Sequence, residues 1–169
     1  MVKTKPHIIL GIDPGIADTG FGVIEENCGQ FRLLDYGSIK TDKKKSLSLR
    51  LLALHEQLTA LVKKHQPELA VVEQLFFCTN VKTALIVGQA RGVILLTLMQ
   101  NQLELIELTP LQVKQGLTGY GQADKKQVQQ MVKIILNLKT SPKPDDAADA
   151  LAMAICGAGI NKLNSRIGS

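Results

Sequence analysis

Four carboxylates stand in apolar surroundings along this chain. Asp13 ends the run His7-Ile-Ile-Leu-Gly-Ile-Asp13, and Glu73 interrupts Leu69-Ala-Val-Val-Glu-Gln-Leu-Phe-Phe77. Asp146 and Asp149 flank two alanines ahead of Ala150-Leu-Ala-Met-Ala-Ile155. An ionised carboxylate is costly to bury unless it is paired, and positions i and i+3 share one face of a helix. Each acid has an ordinary reading: a turn residue before Pro14-Gly15, an edge-strand acid at Glu73, and helix N-terminal acids at Asp145, Asp146 and Asp149. One arrangement accounts for all four. If strands and a docking helix bring them together, divalent cations neutralise the cluster, and hard oxygen donors of this kind suit Mg2+ or Mn2+. Two such ions, roughly 3.5–4 Å apart, form the usual clamp for in-line attack of water on a phosphodiester.

The elements that must position these acids follow from pattern. His7 to Asp13 reads as a buried strand ended by Pro14-Gly15, Thr19 to Glu25 as a second and Gln30 to Ile39 as a third. Their short links predict an antiparallel meander. Leu47 to His65 carries Leu51, Leu54, Leu58, Leu61 and Val62 on one helical face, and Gln66-Pro67 ends it. Leu69 to Leu75 is a strand containing Glu73. Asn80 to Gln100 is a helix apolar nearly all round, which needs two partners: the sheet and, as the expected second, another copy of the chain. Leu103 to Leu108 is a further strand, and Thr109-Pro110 supplies an N-cap and first-turn pair. Asp124 caps a helix from Lys125 to about Leu138, and Asp145 starts a last helix through about Gly157. The order predicts an α/β fold, a five-stranded mixed sheet with helices on both faces. Residues 1–160 are expected to form one domain and residues 161–169 a disordered tail.

Composition narrows the partners. The chain has 169 residues and a formal charge of +5, which points weakly toward an acidic partner such as nucleic acid. Aromatic residues are only 4% and Trp is absent, so a stacking platform for single strands is not expected, though one wedge residue remains possible. Cys28, Cys78 and Cys156 are odd in number and lie in no C-x-x-C pair, which argues against a disulfide framework and fits a reducing cytoplasm. No segment approaches the roughly 18 unbroken apolar residues of a membrane span. His7, His55 and His65 form no metal or base cluster in the sequence.

Five motifs in register carry a resemblance: Gly11-Ile-Asp-Pro-Gly15 with Thr19-Gly-Phe-Gly-Val-Ile24, Val72-Glu-Gln-Leu-Phe76, Gly88-Gln-Ala-Arg-Gly92, and Asp146-Ala-Ala-Asp-Ala-Leu-Ala152. Together they resemble the RuvC family, the bacterial Holliday-junction resolvases of the ribonuclease H-like superfamily. The match runs from about Ile8 to Ile155. The resemblance implies a structure-selective endonuclease of DNA recombination and repair, cutting four-way junctions by paired symmetric nicks. It implies Asp13, Glu73, Asp146 and Asp149 as catalytic acids holding two Mg2+ per site, with Mn2+ able to substitute. It further implies Phe76 as a wedge at the crossover and Lys114 and Lys125 as lysines near the scissile phosphate. Lys126 is expected to add a further phosphate contact. Arg91 faces either DNA or the dimer interface, and the sequence does not choose. A homodimer and the RuvA and RuvB branch-migration proteins are the implied partners, and the cytoplasm the implied location. One departure is Ile16-Ala17-Asp18 after Asp13-Pro-Gly15, where the family usually carries a basic or small polar residue. Asp18 is expected to add negative charge near the metal site. Other readings remain open at this point: an ATPase, because Asp13 to Gly20 also resembles a phosphate hairpin, a nuclease of structured RNA, and a non-catalytic junction binder. The chain has no G-x-x-x-x-G-K-[ST] loop, so any motor is a partner.

Overall fold

The computed structural model describes residues 6–74 and 81–167, and the side chains within them except at 82 and 162–167. The order of elements is β1 (His7–Asp13), β2 (Asp18–Asn27), β3 (Gln30–Lys40), α1 (Leu47–His65), β4 (Leu69–Glu73), α2 (Val81–Gln100), β5 (Glu104–Leu108), α3 (Pro110–Thr118), α4 (Lys125–Ile135) and α5 (Asp145–Ile167). The first three strands form the expected antiparallel meander. β4 and β5 then join in parallel beyond β1, giving a five-stranded mixed sheet in the order β3-β2-β1-β4-β5.

Alternation along the strands sends successive side chains to opposite faces. On one face Ile9, Ile24, Leu69, Val71 and Leu108 pack with α3, α4 and α5. On the other, Leu10, Ile12, Val23, Ala70 and Val72 pack with α1 and α2. The same period assigns the acids. Asp13 follows Ile9 and Gly11, and Glu73 follows Leu69 and Val71, so both belong to the face that α5 covers.

Small residues let α5 lie almost on the sheet. Ala147, Ala148, Ala150, Ala152 and Ala154 are buried along it. Beneath them, a Cβ at Gly11 would overlap the Ala150 carbonyl, and one at Gly20 would overlap the backbone of Asp146. Gly20 is the partner of Asp13 across β1 and β2. The glycine that admits the helix thus stands beside the first acid.

The structure departs from the sequence expectations at the C-terminus. The last helix does not stop near Gly157 but runs through Ile167. Gly157 serves close packing: a Cβ there would overlap the Val71 side chain. α2 is two-sided as expected. Ala90, Ile94, Thr97 and Leu98 are fully buried, while Val81, Leu85, Leu96 and Met99 are exposed. By length and composition Thr83–Gln100 would suffice to cross a membrane, although Gln89 and Arg91 break its apolar run. Its inner face, however, is part of the core between the sheet and α1.

Candidate active site

Asp13 ends β1 and Glu73 ends the parallel neighbour β4, so both reach the same edge of the sheet. There α5 begins, and its first turns present Asp146 and Asp149. One carboxylate oxygen from each of Asp13, Asp146 and Asp149 lies within 4.8 Å of the others. Glu73 joins the group by sharing a hydrogen bond with Asp13. All four side chains belong to half-buried residues.

The electrostatics are those of a site with too much negative charge for its surroundings. Burial, then the charges of Glu73, Asp149 and Asp146, push the Asp13 carboxyl up to about 8. Burial is also the main cause that raises Glu73 and Asp149. For Asp149 it is opposed by Lys125, whose Nζ lies 3.0 Å from Asp149 Oδ2 and 3.5 Å from Asp145 Oδ2. Burial works against the Lys125 ammonium, but these two acids outweigh it and raise its pKa. A single ammonium cannot neutralise four acids. An all-oxygen donor set, clustered and short of positive charge, fits hard divalent cations.

The acids open into a cavity of about 260 Å³ lined by Asp13, Glu73, Asp149, Lys114 and Lys125. Local sequence explains both lysines' positions. Thr109 and Gln112 form a capping box that starts α3 at Pro110, and Asp124 with Gln127 does the same for α4. Lys125 is therefore the first residue of its helix. Val113, Val128 and Met153 make an apolar wall, a signal the sequence carried only as core periodicity.

The remaining expected residues fall elsewhere. Lys126 is exposed and lines a separate cavity with Thr118, Tyr120 and Gln127. Phe76 lies outside the described residues. Arg91 turns inward: its Nε donates to the Glu73 carbonyl at 3.2 Å and its guanidinium pairs with Glu107. Neither expected direction for Arg91 included this contact. Glu107 was not anticipated; its signal was an acid within the apolar strand Glu104-Leu-Ile-Glu-Leu108, the same kind that marked Glu73. Asp18, the negative charge expected near the metal site, has partners of its own. It accepts from Ser38 Oγ at 2.9 Å and lies 3.9 Å from Lys40 Nζ, so its carboxylate is engaged by β3. Cys156, buried in the core, donates to the Val113 carbonyl, and burial pushes its thiol up to about 12.

Comparison with known proteins agrees with this geometry. Residues 9–157 match the family described as crossover junction endodeoxyribonuclease RuvC. The chain is 54% identical to that protein of Caldicellulosiruptor saccharolyticus over 149 residues, 88% of this chain and 90% of the relative. It is 51% identical to that of Halothermothrix orenii over 162 residues, covering 96% and 98% of the two chains. The Thermus thermophilus RuvC structure in complex with Holliday junction substrate superposes with a TM-score of 0.89 at 34% identity, over 94% of this chain and 96% of that one.

Proposed function

The chain belongs to the RuvC family of crossover junction endodeoxyribonucleases, the Holliday-junction resolvases of recombination and repair, and from that membership we propose how its residues perform the cut. The observation that carries the proposal is the convergence of Asp13, Asp146 and Asp149 within 4.8 Å, with Glu73 hydrogen-bonded to Asp13. These four would hold two Mg2+ per site, or Mn2+ in their place. When bound, such ions would supply activation of water and stabilisation of the leaving oxygen for hydrolysis to a 5′-phosphate and a 3′-hydroxyl.

The protein's own groups do the rest. The carboxylates fix the site, and their protons leave as cations bind. Lys125 Nζ, held by Asp149 and Asp145, sets a positive charge beside the scissile phosphate. Lys114 lines the same cavity and bears on the same phosphodiester. Val113, Val128 and Met153 exclude bulk water from one side, which strengthens each electrostatic contact. Phe76 acts as the wedge at the crossover, and Lys126 contacts phosphate further along an arm.

Paired nicks require two sites related by a twofold axis. The exposed stripe of α2 supports a homodimer: Val81, Leu85, Leu96 and Met99 flank Gly88 and Gly92, around whose Cβ positions nothing lies within 4 Å. Small residues of this spacing let two helices approach closely. The substrate carried over from the Thermus thermophilus complex is the four-way junction. Lacking a nucleotide-binding loop, the chain would receive junctions moved by RuvA and RuvB. The relatives are bacterial, and the cytoplasm is the proposed compartment. A mobile four-way junction, a linear duplex and a structured RNA assayed side by side with Mg2+ test the reading: symmetric nicks in the junction alone support it, and equal cutting of duplex or RNA rejects it.

A further inference from the structure

The motif Gly88-Gln-Ala-Arg-Gly92 is absorbed only in part by a dimer face, because Arg91 points the other way. Its target is the end of β4. The pairing of β1 with β4 stops at Ile12 and Val72, one residue short of Glu73. On its other side Glu73 is held by β5, through its pairing with Leu108 and the Gln74 amide donating to the Leu108 carbonyl at 2.8 Å. Among the described residues, the strand end is thus paired with one neighbour only, at the residue whose carboxylate must meet Asp13.

Arg91 supplies the missing support from behind the sheet. Glu107 is in register with Val72, so its side chain lies on the α1 and α2 face. Arg91 comes from α2 onto that face, pairs with Glu107, and gives Nε to the Glu73 carbonyl at 3.2 Å. The Glu73 carboxylate points through to the opposite face, beside Asp13. The arginine side chain is only 19% exposed, against 37% for Glu107. A planar fork can serve a carbonyl and a carboxylate at once; a lysine's point charge lacks that geometry.

We propose that Arg91 is a positioning residue for Glu73, clamping its backbone to β5 so that the carboxylate is set for the metal site. This rests on the role proposed above for Glu73 as a ligand. Groups that orient metal ligands from behind typically contribute about 10–100-fold to metal affinity or activity.

Arg91→Ala, Arg91→Lys and Glu107→Gln test the clamp, with Mn2+ affinity measured by calorimetry without DNA, junction affinity measured without metal, and single-turnover cleavage. Arg91→Ala should bind Mn2+ and cleave about 10–100-fold less well, with junction affinity within about twofold of wild type. Arg91→Lys should recover only part of the loss. Glu107→Gln should lose less, because the Nε bond to the Glu73 carbonyl remains. Wild-type Mn2+ affinity in Arg91→Ala overturns the proposal. So does a fall in junction affinity with Mn2+ binding unchanged, which would make Arg91 a DNA contact. Should Arg91→Ala fail to fold, the Arg91→Lys comparison decides by the same criteria. Should wild type bind Mn2+ but leave junctions uncut, the substrate reading fails while the Mn2+ comparison still decides the clamp.

Discussion

Lys125 Nζ lies 3.0 Å from Asp149 Oδ2, so the cation that begins α4 is held by an acid near the start of α5. The pair joins two helices at the mouth of the cavity. Lys125 is 48% exposed, so the contact itself adds little stability. Its effect is expected in the chemistry. Lys125→Met should keep the fold and lower single-turnover cleavage by about 10²-fold, the usual size for removing one preorganised charge. Cleavage within twofold of wild type would remove Lys125 from the account.

Asp13 makes the metal-free protein sensitive to pH. Its folded pKa of about 8 lies above the ordinary 3.8, so the folded state binds more protons than the unfolded one. Stability from this group is full below the lower value and is lost as pH rises toward the upper one. The melting temperature of the metal-free wild type should therefore fall relative to Asp13→Asn across that window, and saturating Mg2+ should remove the difference. A constant gap between the two proteins across the window would contradict the proton assignment.

Gly20 tests the placement of α5. A Cβ there would overlap the Asp146 backbone, so Gly20→Ala must push the helix off the sheet. Overpacking of this kind costs typically about 1–3 kcal/mol, read by chemical denaturation. Mn2+ affinity should fall as well, since Asp146 and Asp149 move with the helix. Wild-type Mn2+ binding in a destabilised variant would uncouple the helix position from the site.

The outer face of α2 gives the fourth test. Gly92 has open space around it, and a glycine in a helix interior is about 1 kcal/mol less favourable than alanine. Gly92→Leu should leave the monomer fold intact or firmer while sedimentation shows loss of the dimer, and junction nicks should lose their pairing. A variant that remains dimeric and cuts both strands in concert would place the dimer face elsewhere.

Much of this was legible in the chain because two periods sufficed. A period of two assigns Asp13 and Glu73 to one face once β1 and β4 are parallel neighbours, and the i, i+3 spacing joins Asp146 to Asp149. The direction of Arg91 was not legible. A helix apolar on every side has no preferred phase, so its sequence does not say which flank meets the sheet. Gly157 misled for a related reason: a helix stop and a close approach use the same residue, and only the Val71 side chain against it separates them. The partners of Asp18 were not legible either, because sequence adjacency to Asp13 hides the hairpin that brings Ser38 and Lys40 to its carboxylate.

The central claim is that the acid cluster cuts junctions through bound divalent cations. Single-turnover cleavage of a mobile four-way junction in Mg2+ by Asp149→Asn, beside its metal-free junction affinity, tests it most directly. Junction affinity should stay within about twofold while cleavage falls by about 10³-fold or more. Cleavage at the wild-type rate would contradict the account.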